Sequence, residues 1–271
     1  MDAAVHRPSQ AKGGEFVNAS RSVGADFPDT LGQKPLAAAL REPPLVGPRE
    51  GYERWAATYD QFPNPLLARE ERYLMPLLPD ITGKHVLDVA CGTGRWLQKL
   101  LERGARSGVG IDYSTAMLRV ANRKAAIRGQ LARADCLKLP FRASVFDFAV
   151  CSFALSHIQD LKQMARELAR VMKPNAVVFV SDLHPEAYAR GWRTAFRDGR
   201  GACQIETLPP TAEEVVRAFY SGGFECLTHV ALCLGEAERP ILAEAGKRDL
   251  LELFRVPAVL SCQFALMRSK G

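Results

Sequence analysis

The sequence has no uninterrupted apolar run of about 18 residues, the least that a helical bilayer span requires. Nor does it carry a basic segment followed by an apolar stretch that would read as an export signal. Secretion and helical membrane insertion are therefore not expected, and the expected compartment is cytoplasmic. There is no Cys-x-x-Cys pair: the seven cysteines (Cys91, Cys136, Cys151, Cys203, Cys226, Cys233, Cys262) are scattered, most of them in apolar strand-like runs. This spacing argues against a zinc site and against a disulfide framework, and suits small core hydrophobes kept reduced. No metal site is expected, and no internal repeat is visible.

What is present is ordinary globular composition, 47% hydrophobic and 24% charged over 271 residues, which is enough to bury one sizeable core. Residues 1–50 differ from the rest. Gly13-Gly14, Pro43-Pro44 and Pro48 punctuate them without sustained apolar periodicity, and they read as a flexible N-terminal arm ahead of a domain spanning 51–271. The net charge of +6 does not come from the arm, which balances six Lys/Arg against six Asp/Glu. It concentrates between Arg95 and Arg133, where nine basic residues face only Glu102 and Asp112, a local balance of +7. An acidic partner such as RNA is one reading. Solvated helix faces are the other, and the absence of interleaved aromatic residues for base stacking favours it.

From Lys84 onward, short β-branched runs alternate with helical stretches, the pattern of a parallel sheet covered on both faces. Expected strands are 85–90, 107–112, 130–134, 146–152 and 176–182, followed by 225–234 and 259–267, seven in all. Expected helices are 95–103, 114–127, 161–172 and 211–220, with Ser114 as an N-cap and Lys173-Pro174-Asn175 as a stop before the fifth strand. Residues 184–210 and 235–257 read as insertions on the substrate side of the sheet, because open α/β sheets bind ligands outside the carboxyl ends of their strands.

The strongest local signal is Val86-Leu87-Asp88-Val89-Ala90-Cys91-Gly92-Thr93-Gly94-Arg95-Trp96: an apolar strand, a Gly-x-Gly turn and a helix start, which together imply a nucleotide-like ligand. The dinucleotide pattern wants a third glycine where Leu97 stands. Asp88 beside the turn suits an ammonium and repels a diphosphate. Asp112, at the end of the next strand, can accept the hydroxyls of a ribose diol, and Asp135 can take an exocyclic adenine amine. An amino-acid-bearing nucleoside fits these features better than NAD.

These segments resemble the class I S-adenosylmethionine methyltransferases, in particular the group with the ubiquinone and menaquinone C-methyltransferases. The resemblance rests on V-L-D-V-A-C-G-T-G, V-G-I-D-Y-S (109–114), A-D-C-L-K-L-P-F (134–141), F-D-F-A-V-C-S-F (146–153) and Y-E-R-W-A-A-T-Y-D (52–60). It implies a Rossmann-like, doubly wound α/β fold: seven strands, mostly parallel, with helices on both faces and an antiparallel last strand. It implies S-adenosyl-L-methionine as cofactor. Asp88, Ala90, Gly92 and Gly94 would then hold the methionine part, Asp112 the ribose, and Asp135 with Cys136 the adenine, whose faces would pack on Tyr113 and Met117. Ser152 and Phe153 would border the sulfonium. Residues 51–80 would form lid helices over the cofactor, with Tyr52, Trp55 and above all Tyr59 as lid residues, although their spacing of three and four also suits a core-facing helical stripe.

His157, after the fourth strand, and His184, after the fifth, stand where a methyl acceptor would lie, and histidine is suited to proton removal near neutral pH. A histidine buried against backbone is the competing reading for both. The implied reaction is in-line methyl displacement, which alignment serves and which needs no metal. The chain lacks the Asn/Asp-Pro-Pro-aromatic motif of amino-methylating DNA enzymes, the Pro-Cys pair of cytosine C5 enzymes and the paired glutamates of protein arginine methyltransferases. A small-molecule acceptor is the expectation, with RNA, or cofactor binding without catalysis, as the alternatives.

Overall fold

The computed structural model describes residues 43–246 and 250–267. In chain order the elements are β1 (Leu45–Val46), α1 (Pro48–Trp55), α2 (Pro65–Leu74), β2 (His85–Val89), α3 (Arg95–Glu102), β3 (Ser107–Asp112), α4 (Thr115–Ala121) and β4 (Leu131–Arg133). They continue with β5 (Phe146–Ser152), α5 (Leu161–Val171), β6 (Met172–Leu183), α6 (Pro185–Ala189), β7 (Ala195–Asp198), β8 (Gly201–Ile205), α7 (Ala212–Ser221), β9 (Phe224–Cys233), α8 (Arg239–Glu244), α9 (Leu250–Leu253) and β10 (Pro257–Leu266).

Seven strands form the main sheet in the order β4-β3-β2-β5-β6-β10-β9. β10 runs antiparallel to both β6 and β9, while the pairings among β2 to β6 are parallel. The expected Rossmann-like sheet with an antiparallel last strand is therefore the observed one. Consecutive residues of the central strands point to opposite faces, and both faces are covered. Leu87, Ala149, Val178, Leu260 and Phe264 pack with Met164, Leu168, Val215 and Phe219 of α5 and α7. Val86, Phe148, Val150 and Phe179 pack with Leu74 of α2 and with Trp96 and Leu100 of α3. The order of connection reverses between β2 and β5, and this switch point opens a crevice at their carboxyl ends.

Three expectations need correction. The helix expected over 114–127 stops at Ala121. Asn122 then accepts the Gly129 amide at 3.2 Å, and a separate turn at Ala125–Ile127 folds Ile127 back onto Leu97 and Ala121. The stop at Lys173-Pro174-Asn175 does not precede the fifth strand but lies inside β6: Met172 already pairs with Phe146, and the register to β5 shifts before Phe148↔Val177. The 184–210 insertion contains β7 and β8, which form an antiparallel hairpin. Finally, a boundary at residue 50 cuts α1. Of the expected arm, residues 1–42 lie outside the described residues, while Leu45 and Val46 pair in parallel with Gln204 and Ile205, giving a second sheet β1-β8-β7.

The last strand is anchored by Phe264, which is fully buried and stacks on Phe219 with ring centroids 4.3 Å apart. Phe264→Ala is expected to cost about 3–5 kcal/mol, read as a lowered urea midpoint with an unchanged slope.

Candidate functional site

β2 ends in a turn built from left-handed residues: Ala90 has φ 54°, Gly92 φ 55° and Gly94 φ 80°. A Cβ on Gly94 would lie 2.3 Å from Ile127 Cδ1, so packing as well as φ demands glycine there. A Cβ on Gly92 would meet nothing within 4 Å, so that glycine serves backbone shape and leaves an open face. Ala90 holds the same region without being glycine, at a cost of roughly 1–2 kcal/mol.

Two carboxylates fix this turn. Asp88, 2% exposed, accepts the Leu97 amide at 2.8 Å at the start of α3, and burial pushes its carboxyl up to about 7. Asp112 accepts the Gly92 amide at 2.8 Å and the Ser114 amide at 2.7 Å, so the end of β3 is latched to the glycine turn; burial raises this carboxyl too. Tyr59, Asp88, Gly92, Arg95 and Ser152 line a cleft whose enclosed part measures about 40 Å³.

Arg95 and Glu70 are the site residues that the sequence did not reveal. Glu70 of α2 is wholly buried and ion-paired to Arg95, which also donates to Ser152 Oγ at 2.9 Å. Trp96 Nε1 donates to Glu70 at 3.2 Å, and the Ser181 hydroxyl completes the set. A signal did exist: an arginine at the first position of a helix opposes the macrodipole, so it needs a reason from elsewhere.

The 51–80 segment meets the cleft edge at several points. Tyr59 lines the cleft, and burial pushes its phenol up to about 12. Asp60 accepts Thr93 Oγ1 at 2.8 Å and pairs with Lys124 at 2.9 Å. Glu53 accepts Ser114 Oγ at 3.0 Å. Tyr52 and Trp55 turn toward the small sheet, packing with Phe196, Cys203 and Ile205. The core-facing reading of the spacing thus describes Tyr52 and Trp55, while Tyr59 lies at the cleft.

Tyr52 also meets His157 Nε2 at 3.0 Å. The other ring nitrogen of His157 is buried without a hydrogen-bond partner. Desolvation lowers this imidazole to about 4, against a smaller opposing pull from the Glu206 main chain. The turn that carries His157 is held by buried Asp182, which accepts the Ser156 amide at 2.6 Å and whose carboxyl burial raises to about 6. Phe153, in the same turn, has φ 52° and donates its amide to Ser181 O at 2.9 Å.

The remaining expected residues divide. Asp135 is exposed and accepts the Leu137 amide at 2.8 Å, and Cys136 is half-buried with its thiol pushed up to about 12 by desolvation. Tyr113 is half exposed, with the guanidinium groups of Arg49 and Arg133 5.2 and 5.4 Å from its ring centre. Met117, on α4, is buried. His184 is a helix cap: its Nδ1 accepts the Glu186 amide at 3.1 Å to start α6, so this nitrogen is not free for proton transfer. The basic run 95–133 is partly consumed internally, with Arg95, Lys99 and Lys124 paired to Glu70, Glu71 and Asp60. Among the described residues no group of three or more His, Cys, Asp or Glu could hold a metal ion, and no helix is long and apolar enough to cross a membrane.

A family profile described as a methyltransferase domain matches residues 86–175, the stretch from β2 into β6. The demethylmenaquinone methyltransferase of Bacillus licheniformis is 30% identical over 146 residues, covering 51% of this chain and 63% of that protein. That of Lactiplantibacillus plantarum is 32% identical over 136 residues, covering 46% of this chain and 57% of that protein. The chain thus spans less than two thirds of the length of these relatives. Among solved structures, an S-adenosylmethionine dependent methyltransferase from Mesorhizobium loti superimposes with a TM-score of 0.59 at 23% identity, over 74% of this chain and 99% of that one. Residues 86–175 thus match a methyltransferase domain, and the chain is similar in sequence to methyltransferases and in fold to an S-adenosylmethionine dependent one.

Proposed function

We propose that the protein transfers a methyl group from S-adenosylmethionine to a small-molecule acceptor, in the cytoplasm, at the carboxyl ends of β2, β3 and β5. The observation that carries this reading is the pair of opposite charges at the enclosed end of the cleft: Asp88 on one strand end and Arg95 at the adjoining helix start. A space bounded by a carboxylate and a guanidinium suits the zwitterionic end of an α-amino acid, and the open face of Gly92 beside it leaves backbone free for close approach. NAD offers no such zwitterion.

The bound cofactor supplies an electrophilic methyl on a sulfonium. The protein supplies placement. In this reading Asp88 orients the ammonium and Arg95 faces the carboxylate. Asp112 accepts ribose hydroxyls, Asp135 and Cys136 border the adenine, and Ser152 and Phe153 border the sulfonium. Residues 51–80 act as the lid, and the 184–210 and 235–257 insertions shape the acceptor side of the 51–271 domain. A small-molecule acceptor is favoured by the relatives, whose names specify demethylmenaquinone methylation. RNA is disfavoured because lid acids take up part of the basic run.

The test is calorimetric titration with S-adenosylmethionine, S-adenosylhomocysteine and NAD. Binding of both sulfur nucleosides at about micromolar Kd, abolished by Asp112→Ala and by Gly92→Leu, is expected. Binding of NAD alone, or of none of the three, would overturn the reading.

The elevated Asp88 carboxyl generates a pH dependence. With a folded value of about 7 against an ordinary value near 4, it is protonated in the free protein at pH 6, and a ligand ammonium binds its ionised form better. S-adenosylhomocysteine affinity is therefore expected to rise between pH 6 and 8, with proton release on binding at pH 6.5, measured by calorimetry in buffers of different ionisation enthalpy. The same raised value means that Asp88 costs stability as pH climbs from about 4 to 7. Asp88→Asn should accordingly be more stable than wild type at pH 8, by roughly 2–4 kcal/mol, and close to equal near pH 4.

A further inference from the structure

The β7–β8 hairpin packs against α1 of the lid segment. Arg54, on α1, donates from Nε to Asp198 of β7 at 2.9 Å, in an ion pair whose side chains are only 17% and 18% exposed. Trp55 stacks on Phe196 with centroids 5.5 Å apart. The α1 backbone lies so close to β8 that a Cβ on Gly51 would come within 2.6 Å of Ile205 Cγ1. The strand leading into α1 is hydrogen-bonded to β8, through Gln204 N to Pro44 O at 3.0 Å and Glu206 N to Val46 O at 2.9 Å. Phe196, Cys203 and Ile205 with Val46, Tyr52 and Trp55 make a core of their own, separate from the two that flank the main sheet.

The opposite side of α1 and the residues after it face the cofactor ends of the strands. Glu53 reaches Ser114 and Asp60 reaches Thr93, while Arg49 lies over Tyr113. These front contacts are single hydrogen bonds and one cation–ring contact. The rear contacts run along the whole of α1: a strand pairing, a ring stack and an ion pair in which Arg54 also reaches Glu50 at 3.2 Å. Where the lid sits over the cofactor is thus decided largely by the hairpin behind it.

We infer that Arg54 and Asp198 are positioning residues that join α1 to the β7–β8 hairpin as one cap, so that cofactor binding under the lid and the placement of the 184–210 insertion are coupled. This rests on the cofactor reading above. Binding at one end of such a body has to be felt at the other, in both directions.

The experiment is S-adenosylhomocysteine titration of wild type and Asp198→Asn, with hydrogen exchange of wild type with and without the ligand. Asp198→Asn is expected to bind roughly 5- to 20-fold more weakly at a thermal midpoint within a few degrees of wild type. The amides of Gln204, Ile205 and Glu206 are expected to exchange more slowly in the complex. If wild type binds but Asp198→Asn matches it within twofold and the β8 amides are unaffected, the cap is wrong and the cofactor assignment stands. If wild type binds neither sulfur nucleoside, the cofactor reading fails and the coupling fails with it. Should Asp198→Asn not fold, the exchange result on wild type decides alone: unchanged β8 protection overturns the proposal.

Discussion

The carboxylate of Glu70 has no access to water, and everything around the cleft is arranged to give it donors. Arg95 and Trp96 come from α3 and Ser181 from β6, while Glu70 itself stands on α2. One buried acid therefore ties a helix on the face of the sheet to the start of the helix after the glycine turn and to a central strand. The consequences spread along α2. Arg69 donates to Cys233 O at 2.8 Å and Arg72 pairs with buried Glu238, which fixes the second insertion. At the other end Asn64 caps the helix through the Leu66 amide at 2.9 Å, which sets where the chain arrives from Tyr59. Arg95, held by Glu70 and Ser152, becomes a cation at the floor of the cleft that cannot swing away.

Around that cation the strand ends crowd acids. Asp88, Asp112 and Asp182 all have carboxyls raised by burial, which means that the fold holds them at the expense of their charged forms. A fold optimised for stability alone would place amides or apolar groups there. Strained backbone is concentrated in the same place: of the four non-glycine residues with positive φ among the described residues, Ala90 and Phe153 follow β2 and β5 directly. Raised acids and strained turns on one edge mark a place where stability has yielded to ligand binding.

The central sheet was legible because its strands are apolar on both faces and bounded by turn residues, a pattern that local sequence records directly. The glycine turn, Asp88 and Asp112 were legible for the same reason, since strand, turn and carboxylate are contiguous or one strand apart. What stayed hidden is what depends on distant partners. Nothing in Ala68-Arg69-Glu70-Glu71 distinguishes the glutamate that is buried from the one that is not. His184 and His157 occupy equivalent places after neighbouring strands, and only the fold shows that one caps α6 while the other meets Tyr52. The hairpin β7–β8 was not foreseen inside the insertion because its strands are short and their partner, Leu45–Val46, is far away in the sequence. The helix over 114–127 was overdrawn because Ile127 fits a helical period equally well whether it continues α4 or folds back onto Leu97.

The Tyr52–His157 pair bears on the acceptor. Burial lowers the imidazole and raises the phenol, so near neutral pH both are uncharged, sharing one hydrogen bond. An imidazole at about 4 is a weak base, unable to strip an ordinary alcohol or an alkylammonium at useful rate. Asp182, near 6, is spent on the Ser156 and Leu183 amides. The turn beyond β5 therefore offers a neutral polar lining rather than a strong base. Under the proposed function, such a lining would align an acceptor rather than take its proton.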